Sequence, residues 1–416
     1  MNKLEFTLRQ HTPLIHFQHD QEGATLRATE VKPKLDRFIL QRLGGGNYES
    51  GLEIARRNEW MIGKQSTSES LNYKIDFRDH DYWKQEISQD EKFSCYFGNM
   101  GEENAKNSKG FVFAKKEIIG CISTFDSTLY KCLEADISAF WASHNFGTRQ
   151  TKGFGSFFIR TVFIPTQFYF DVYVNRLENI HLATKSHFKT LFEAIDLFHK
   201  IIRSGVNYPH LGIYIKSALF SYYKDVDIQW DKRTIKNFFF SNALSIQNRR
   251  YDSPDILKEY SKKSQSDNHF LIRDLLGLAT ESDWKGSEYN NAKISKTHID
   301  EKIERMLSPI VYKPRFVIKT LPNGQKEYYF RVYIYPKSVH NDFLDQTFDV
   351  KASTSSDILK LNTPKVFKIE KYLKYLCTEF ELENNFKDVE NHRNHLALNI
   401  FEQLRDNYIK ETTPKP

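Results

Sequence analysis

Four cysteines in 416 residues, Cys95, Cys121, Cys132 and Cys377, show no CxxC spacing. That is too few for a disulfide framework, and it lacks the spacing of a zinc site. The expectation is a reduced, cytoplasmic protein without metal or cofactor. No uncharged apolar run approaches the 18 or so residues that a spanning helix needs, so no membrane partner is expected. The segment Met1–Arg9 carries Glu5 and alternates polar with apolar residues, unlike a secretory signal. No repeat of solenoid length is present. Glycine is scarce: 18 residues, below the usual share of about 7%. Three of them crowd into residues 147–155.

Aromatic residues are plentiful at 14%, with 33 Phe, 22 Tyr and 5 Trp. Charged residues make up 27%, an ordinary globular share, so extended disorder is not expected. The net charge is +7. A mild excess of this kind suits a polyanionic partner without requiring one. Aromatic and basic side chains in equal number suit a surface that stacks bases and neutralises phosphates, and equally a Phe-rich core.

Leu4, Phe6 and Leu8 alternate with polar residues, which predicts a half-buried strand. From Leu26 to Arg42 the chain reads as a basic helix that Pro33 can open and that Gly44-Gly45-Gly46 stops. A second strand is expected over 71–77, a third over 118–123 and a helix over 136–146. Strands are expected over 157–164 and 168–174. Phe188, Leu191, Phe192, Ile195, Phe198 and Ile202 have helical spacing. Val311–Lys319 and Glu327–Tyr335 flank Asn323-Gly324, a hairpin signal. Helices are expected over 365–381 and 389–408, and polar loops over 99–109 and 247–270. The change from strand to helix pattern places a domain boundary near 178, giving domains 1–178 and 179–416.

The segment Gly147-Thr-Arg-Gln-Thr-Lys-Gly-Phe-Gly-Ser156 is the most informative motif. It carries Arg149 and Lys152 and no acid, with Arg160 on the strand beyond. Amides of Gly153 and Gly155 can approach phosphate oxygens, since no Cβ intervenes, and Phe154 between them could stack on a base. A tight turn after a helix is the other reading. The segment is neither a Walker loop nor a dinucleotide fingerprint, because it precedes a strand. The stretch 27–42 holds Arg27, Lys32, Lys34, Arg37 and Arg42 against Glu30 and Asp36, a net +3. It reads as a backbone-contacting surface or a solvated helix face. His11, His16 and His19 could bind a metal, but no Cys lies nearby and only Asp20 is an adjacent carboxylate, so no metal site is assigned. His144 could act as a general base, and it also falls on an apolar helix face.

His11-Thr12-Pro13-Leu14, the segment Ala24–Phe38, the glycine loop after a helix, and Arg305-Met-Leu-Ser-Pro-Ile-Val311 together resemble the RAMP proteins of type III CRISPR systems. Within that group the pattern is most similar to subunit one of the Cmr, type III-B, complex. The resemblance implies an α+β chain with two ferredoxin-like (RRM-related) domains and helical insertions. It implies a non-catalytic RNA-binding subunit, in contact with the guide RNA (crRNA) 3′ end, target RNA and other Cmr complex subunits, in antiviral defence. Carried onto this sequence, its candidate RNA contacts are Arg27, Lys32, Lys34, Arg37, Arg149, Lys152, Gly153, Phe154 and Gly155. A RAMP endoribonuclease that processes repeat RNA is the alternative, but such enzymes carry the glycine loop near the C-terminus.

Overall fold

A computed structural model describes residues 1–15, 26–63, 69–78, 81–86, 110–159, 166–208, 213–224, 228, 231–247, 269–284, 289–337, 339, 341–382 and 392–412. The expected loop at 99–109 and residues 248–268 of the one expected over 247–270, together with His16, His19, Cys95 and Arg160, lie outside these residues. The class is α+β, with antiparallel sheets and separate helices. Two compact units form. The first comprises residues 1–196, 311–335 and 407–416; the second comprises 197–310 and 336–406. A single cut at 178/179 does not describe these units. The hairpin of strands 310–320 and 326–336 returns from late in the chain, and strand 326–336 pairs with the early strand 169–173.

In the first unit, β1 (Asn2–Gln10) buries Phe6 and Leu8, as the alternation predicts. Helix α1 (Ala28–Leu43) starts before Pro33, contrary to the expectation that proline opens it. The helix begins where Glu30 and Val31 donate to the Arg27 carbonyl. Val31, Leu35 and Ile39 then bury one face, and that burial outweighs the amide Pro33 lacks. The three glycines end α1, with Gly45 and Gly46 at positive φ. Helix α2 (Tyr48–Arg57), β2 (Lys74–Arg78), the hairpin of β3 (Tyr82–Glu86) and β4 (Gly110–Ala114), and β5 (Ile118–Thr124) follow. Helix α3 spans Ser127–Ser143, nine residues earlier than expected. Asp126 starts it by accepting from the amides of Thr128 and Leu129, both at 2.8 Å. β6 (Phe157–Ile159) completes a sheet of order β2-β5-β1-β6, all antiparallel. First and third strands at the centre of a βαββαβ chain define a ferredoxin-like arrangement.

β7 (Tyr169–Tyr173), helix α4 (Lys185–Arg203), β8 (Ile310–Thr320) and β9 (Lys326–Pro336) repeat the first part of that pattern, with sheet order β8-β9-β7. The β8–β9 turn is the expected Asn-Gly tip, with Gly324 at φ +81°. Phe188 of α4 meets Phe330 of β9 and Phe113 of β4. Beside β7, Asn407 donates to the Tyr169 carbonyl and Tyr408 stacks on Phe168.

The second unit holds an antiparallel sheet of strands 281–283, 293–298, 347–352 and 358–362 in sequence order. A short hairpin (206–208, 213–215) and helices 218–224, 231–247 and 369–378 accompany it. Its interior carries ion pairs: Lys296 with Asp274, and Arg273 with Asp231 at 2.7 Å.

Candidate nucleic-acid interface

The glycine loop of the first unit folds back on itself. The Phe146 amide donates to the Gly155 carbonyl, and a 3-10 turn spans Gln150–Lys152. Gly147, Gly153 and Gly155 lie at φ +77°, +95° and +64°. A Cβ on Gly155 would come within 2.0 Å of the Phe146 carbonyl oxygen, and one on Gly147 within 2.4 Å of the Ile15 oxygen. Conformation and close approach therefore both require glycine at these two positions.

The amides of these glycines all have partners in the chain. Gly147 donates to Glu30 Oε1 at 2.6 Å, Gly153 to the Gln150 carbonyl, and Gly155 to the Pro13 carbonyl at 2.7 Å. The expected amide cradle for phosphate is therefore corrected: as folded, Gly153 and Gly155 offer no amide to a ligand. Phe154 is corrected as well. It is fully buried and stacks on Phe192 of α4, with centroids 3.9 Å apart and planes within 6°.

The loop is instead a joint. Thr12 Oγ1 donates to the Gly153 carbonyl at 2.6 Å and accepts from the Ser156 amide. Asn145 Nδ2 donates to the carbonyls of Gln150 and Tyr312, both at 2.7 Å. Ser156 Oγ donates to the Pro314 carbonyl at 2.7 Å. From β8, the buried Lys313 donates to the carbonyls of His144 and Phe157. Burial holds its ammonium well below the usual lysine range, and the nearby charge of Lys34 adds to the effect. His11 is buried and accepts from the Phe316 amide through Nδ1 at 3.0 Å. Burial keeps it neutral, helped by Arg315, Arg9 and Lys313. It is a core acceptor, not a metal ligand.

The basic helix meets this joint. Lys34 Nζ donates to Glu30 Oε1 and Gln150 Oε1, both at 2.9 Å, and to the Asn145 carbonyl at 3.3 Å. Lys32 Nζ donates to Asp36 at 2.8 Å, Ser70 Oγ at 3.0 Å and the Leu71 carbonyl at 2.9 Å. Arg37 is exposed, while Arg27, Arg149 and Lys152 are half-buried. Arg149 has φ +59° and is the non-glycine residue of the loop in the left-handed region. His144 packs on Phe140 at 4.7 Å, with Nδ1 beside Ser143 Oγ.

Of the residues expected from sequence, Arg37, Arg149 and Lys152 therefore remain on elements that Lys34 and Glu30 fasten together. Thr12, Glu30, Asn145 and Lys313 escaped sequence reasoning. Thr12 and Glu30 lay within the motifs His11-Thr12-Pro13-Leu14 and Ala24–Phe38; Asn145 and Lys313 carried no signal. Among the described residues, no group of three His, Cys, Asp or Glu side chains is placed to hold a metal. Nor is any helix among them long and apolar enough to cross a membrane.

Two family models match the chain: the Cmr1 N-terminal domain over residues 1–206, and the Cmr1 C-terminal domain over residues 214–406. No curated protein matches. Among solved structures, the chain is similar to the apo form of Cmr1 from Pyrococcus furiosus. The identity is 11%, the match covers 82% of this chain and 90% of that one, and the TM-score is 0.37. The family assignment rests on the two domain matches and not on this likeness. The chain is of the RAMP class of type III CRISPR systems. It belongs to the Cmr1 family and is a subunit of the type III-B Cmr effector complex.

Proposed function

We propose that this chain is a non-catalytic RNA-binding subunit that contacts the guide RNA 3′ end and target RNA in antiviral defence, in the cytoplasm, beside other Cmr subunits. One observation carries the reading. Two basic segments far apart in sequence are fastened together: Lys34 of α1 donates to Gln150 of the glycine loop, the residue after Arg149 and two before Lys152. Arg37, Arg149 and Lys152 then sit on joined elements, a support suited to phosphates rather than bases. The non-catalytic reading is supported by His11, which is buried, neutral and engaged by a backbone amide.

The test is purification of the tagged full-length chain from cells that express the whole complex. The proposal expects the other Cmr subunits together with guide RNA, and loss of the RNA alone when Arg37, Arg149 and Lys152 are changed to Ala. Recovery of the subunits with undiminished RNA in that variant would contradict it. Purified chain should also leave repeat RNA uncut; cutting that disappears with His144→Ala would favour the endoribonuclease.

A further inference from the structure

We propose that the cleft at the C-terminal end of α1 takes an unstacked nucleobase of single-stranded RNA, held against the plate formed by Phe38 and Arg42. This rests on the RNA-binding reading and extends it from backbone contact to base contact. The cleft has a volume of about 340 Å³ and is lined by Phe38, Gln41, Arg42, Gly45 and Gly46. Its floor is bare: a Cβ at Gly45 or Gly46 would meet nothing within 4 Å. These glycines serve the positive φ of the helix stop, +60° and +100°, and leave the space above them empty. Their amides donate to the carbonyls of Arg42 and Gln41, so the floor offers no amide to an anion.

The wall is flat and braced. The Phe38 ring meets His144 edge-on at 5.4 Å and Phe140 at 5.6 Å. The Arg42 guanidinium lies 5.7 Å from the Phe38 ring centre, and its Nε forms an ion pair with Asp136 Oδ1 at 2.7 Å. That carboxylate offsets the guanidinium charge. The Arg42 side chain is still 55% exposed, so its outer face meets solvent. A flat, charge-offset surface favours the face of an uncharged base over a phosphate. Gln41 at the rim has both a donor and an acceptor for a base edge. Arg37 stands one turn earlier on the same helix face and would hold the adjoining phosphate.

Two measurements on the full-length chain test this, with a single-stranded RNA of about 12 nucleotides. Arg42→Lys keeps the charge and removes the plane. Binding should weaken about fivefold or more, as expected when base stacking is removed, with an unchanged salt slope. Ultraviolet crosslinking of the wild-type chain should place a nucleotide adduct within the tryptic peptide Phe38–Arg42. Both results are expected, and absence of either overturns the proposal. An oligomer of the same length with abasic sugars should show no difference between wild type and Arg42→Lys; an equal weakening there would also overturn it. Where the Arg42 and crosslinking results are absent but Arg37→Ala weakens binding and flattens the salt slope, the cleft fails alone and the RNA-binding reading stands. If changes at Arg37, Arg149 and Lys152 are also silent, that reading fails with it.

Discussion

An ammonium group has three N–H donors, and at Lys32 and Lys34 three acceptors of the chain itself face them. A phosphate could recruit either lysine only by breaking these bonds. Lys34→Ala should therefore lower stability by about 1.5–3 kcal/mol, the range for hydrogen bonds to a charged group. It should leave the salt slope of RNA binding unchanged in titrations below the unfolding transition. A slope shallower by one unit would return Lys34 to the interface. Arg149 carries a backbone cost. Its left-handed backbone is unfavourable for a residue with a Cβ. Arg149→Gly should keep or raise the thermal midpoint while RNA affinity falls. A lower midpoint with affinity intact would mean that the arginine serves the fold.

The elements around the loop behave as a packed joint. Phe154→Ala should cost about 3–5 kcal/mol of stability, read by chemical denaturation, because a buried stacked ring leaves a cavity. A loss under about 1 kcal/mol would contradict the packing. His11 couples β8 to pH. Its folded pKa lies below the unfolded value of about 6.5, so the unfolded chain takes up the proton first. Stability is thus complete above about pH 6.5 and is lost as pH falls from there towards the folded value, by up to about 1.4 kcal/mol per pH unit. Unfolding measured from pH 7.5 to 5 should show this decline, and His11→Gln should flatten it. Much of this element scale was legible: β1, α4 and the β8–β9 hairpin follow their periodicity and Asn-Gly tip. The start of α3 was not, because its signal is one carboxylate, Asp126, beyond the apolar pattern. The glycine loop was legible as a special backbone but not as a joint. The partners of its amides, Glu30 and Pro13, lie more than 100 residues away, and so does its grip on β8.

At the scale of the whole molecule, residues 311–335 return to pair with β7, so a linear cut misses how the chain is assembled. The α+β class and the family were legible because the short motifs, His11–Leu14 and 147–157, mark sites of dense backbone bonding. The difference between Lys32 and Lys34, whose ammonium groups the chain itself holds, and the other basic residues was not, since it depends on acceptors that only the fold supplies. The central claim is that the surface built by α1 and the glycine loop neutralises RNA phosphates through Arg37, Arg149 and Lys152. The most direct measurement is the affinity of the full-length chain for single-stranded RNA across a range of salt concentrations, for wild type and the triple Ala variant. The account predicts weaker binding to every sequence and a slope shallower by about 0.7 for each phosphate no longer neutralised, with the thermal midpoint retained. Wild-type affinity and slope in a folded triple variant would contradict it.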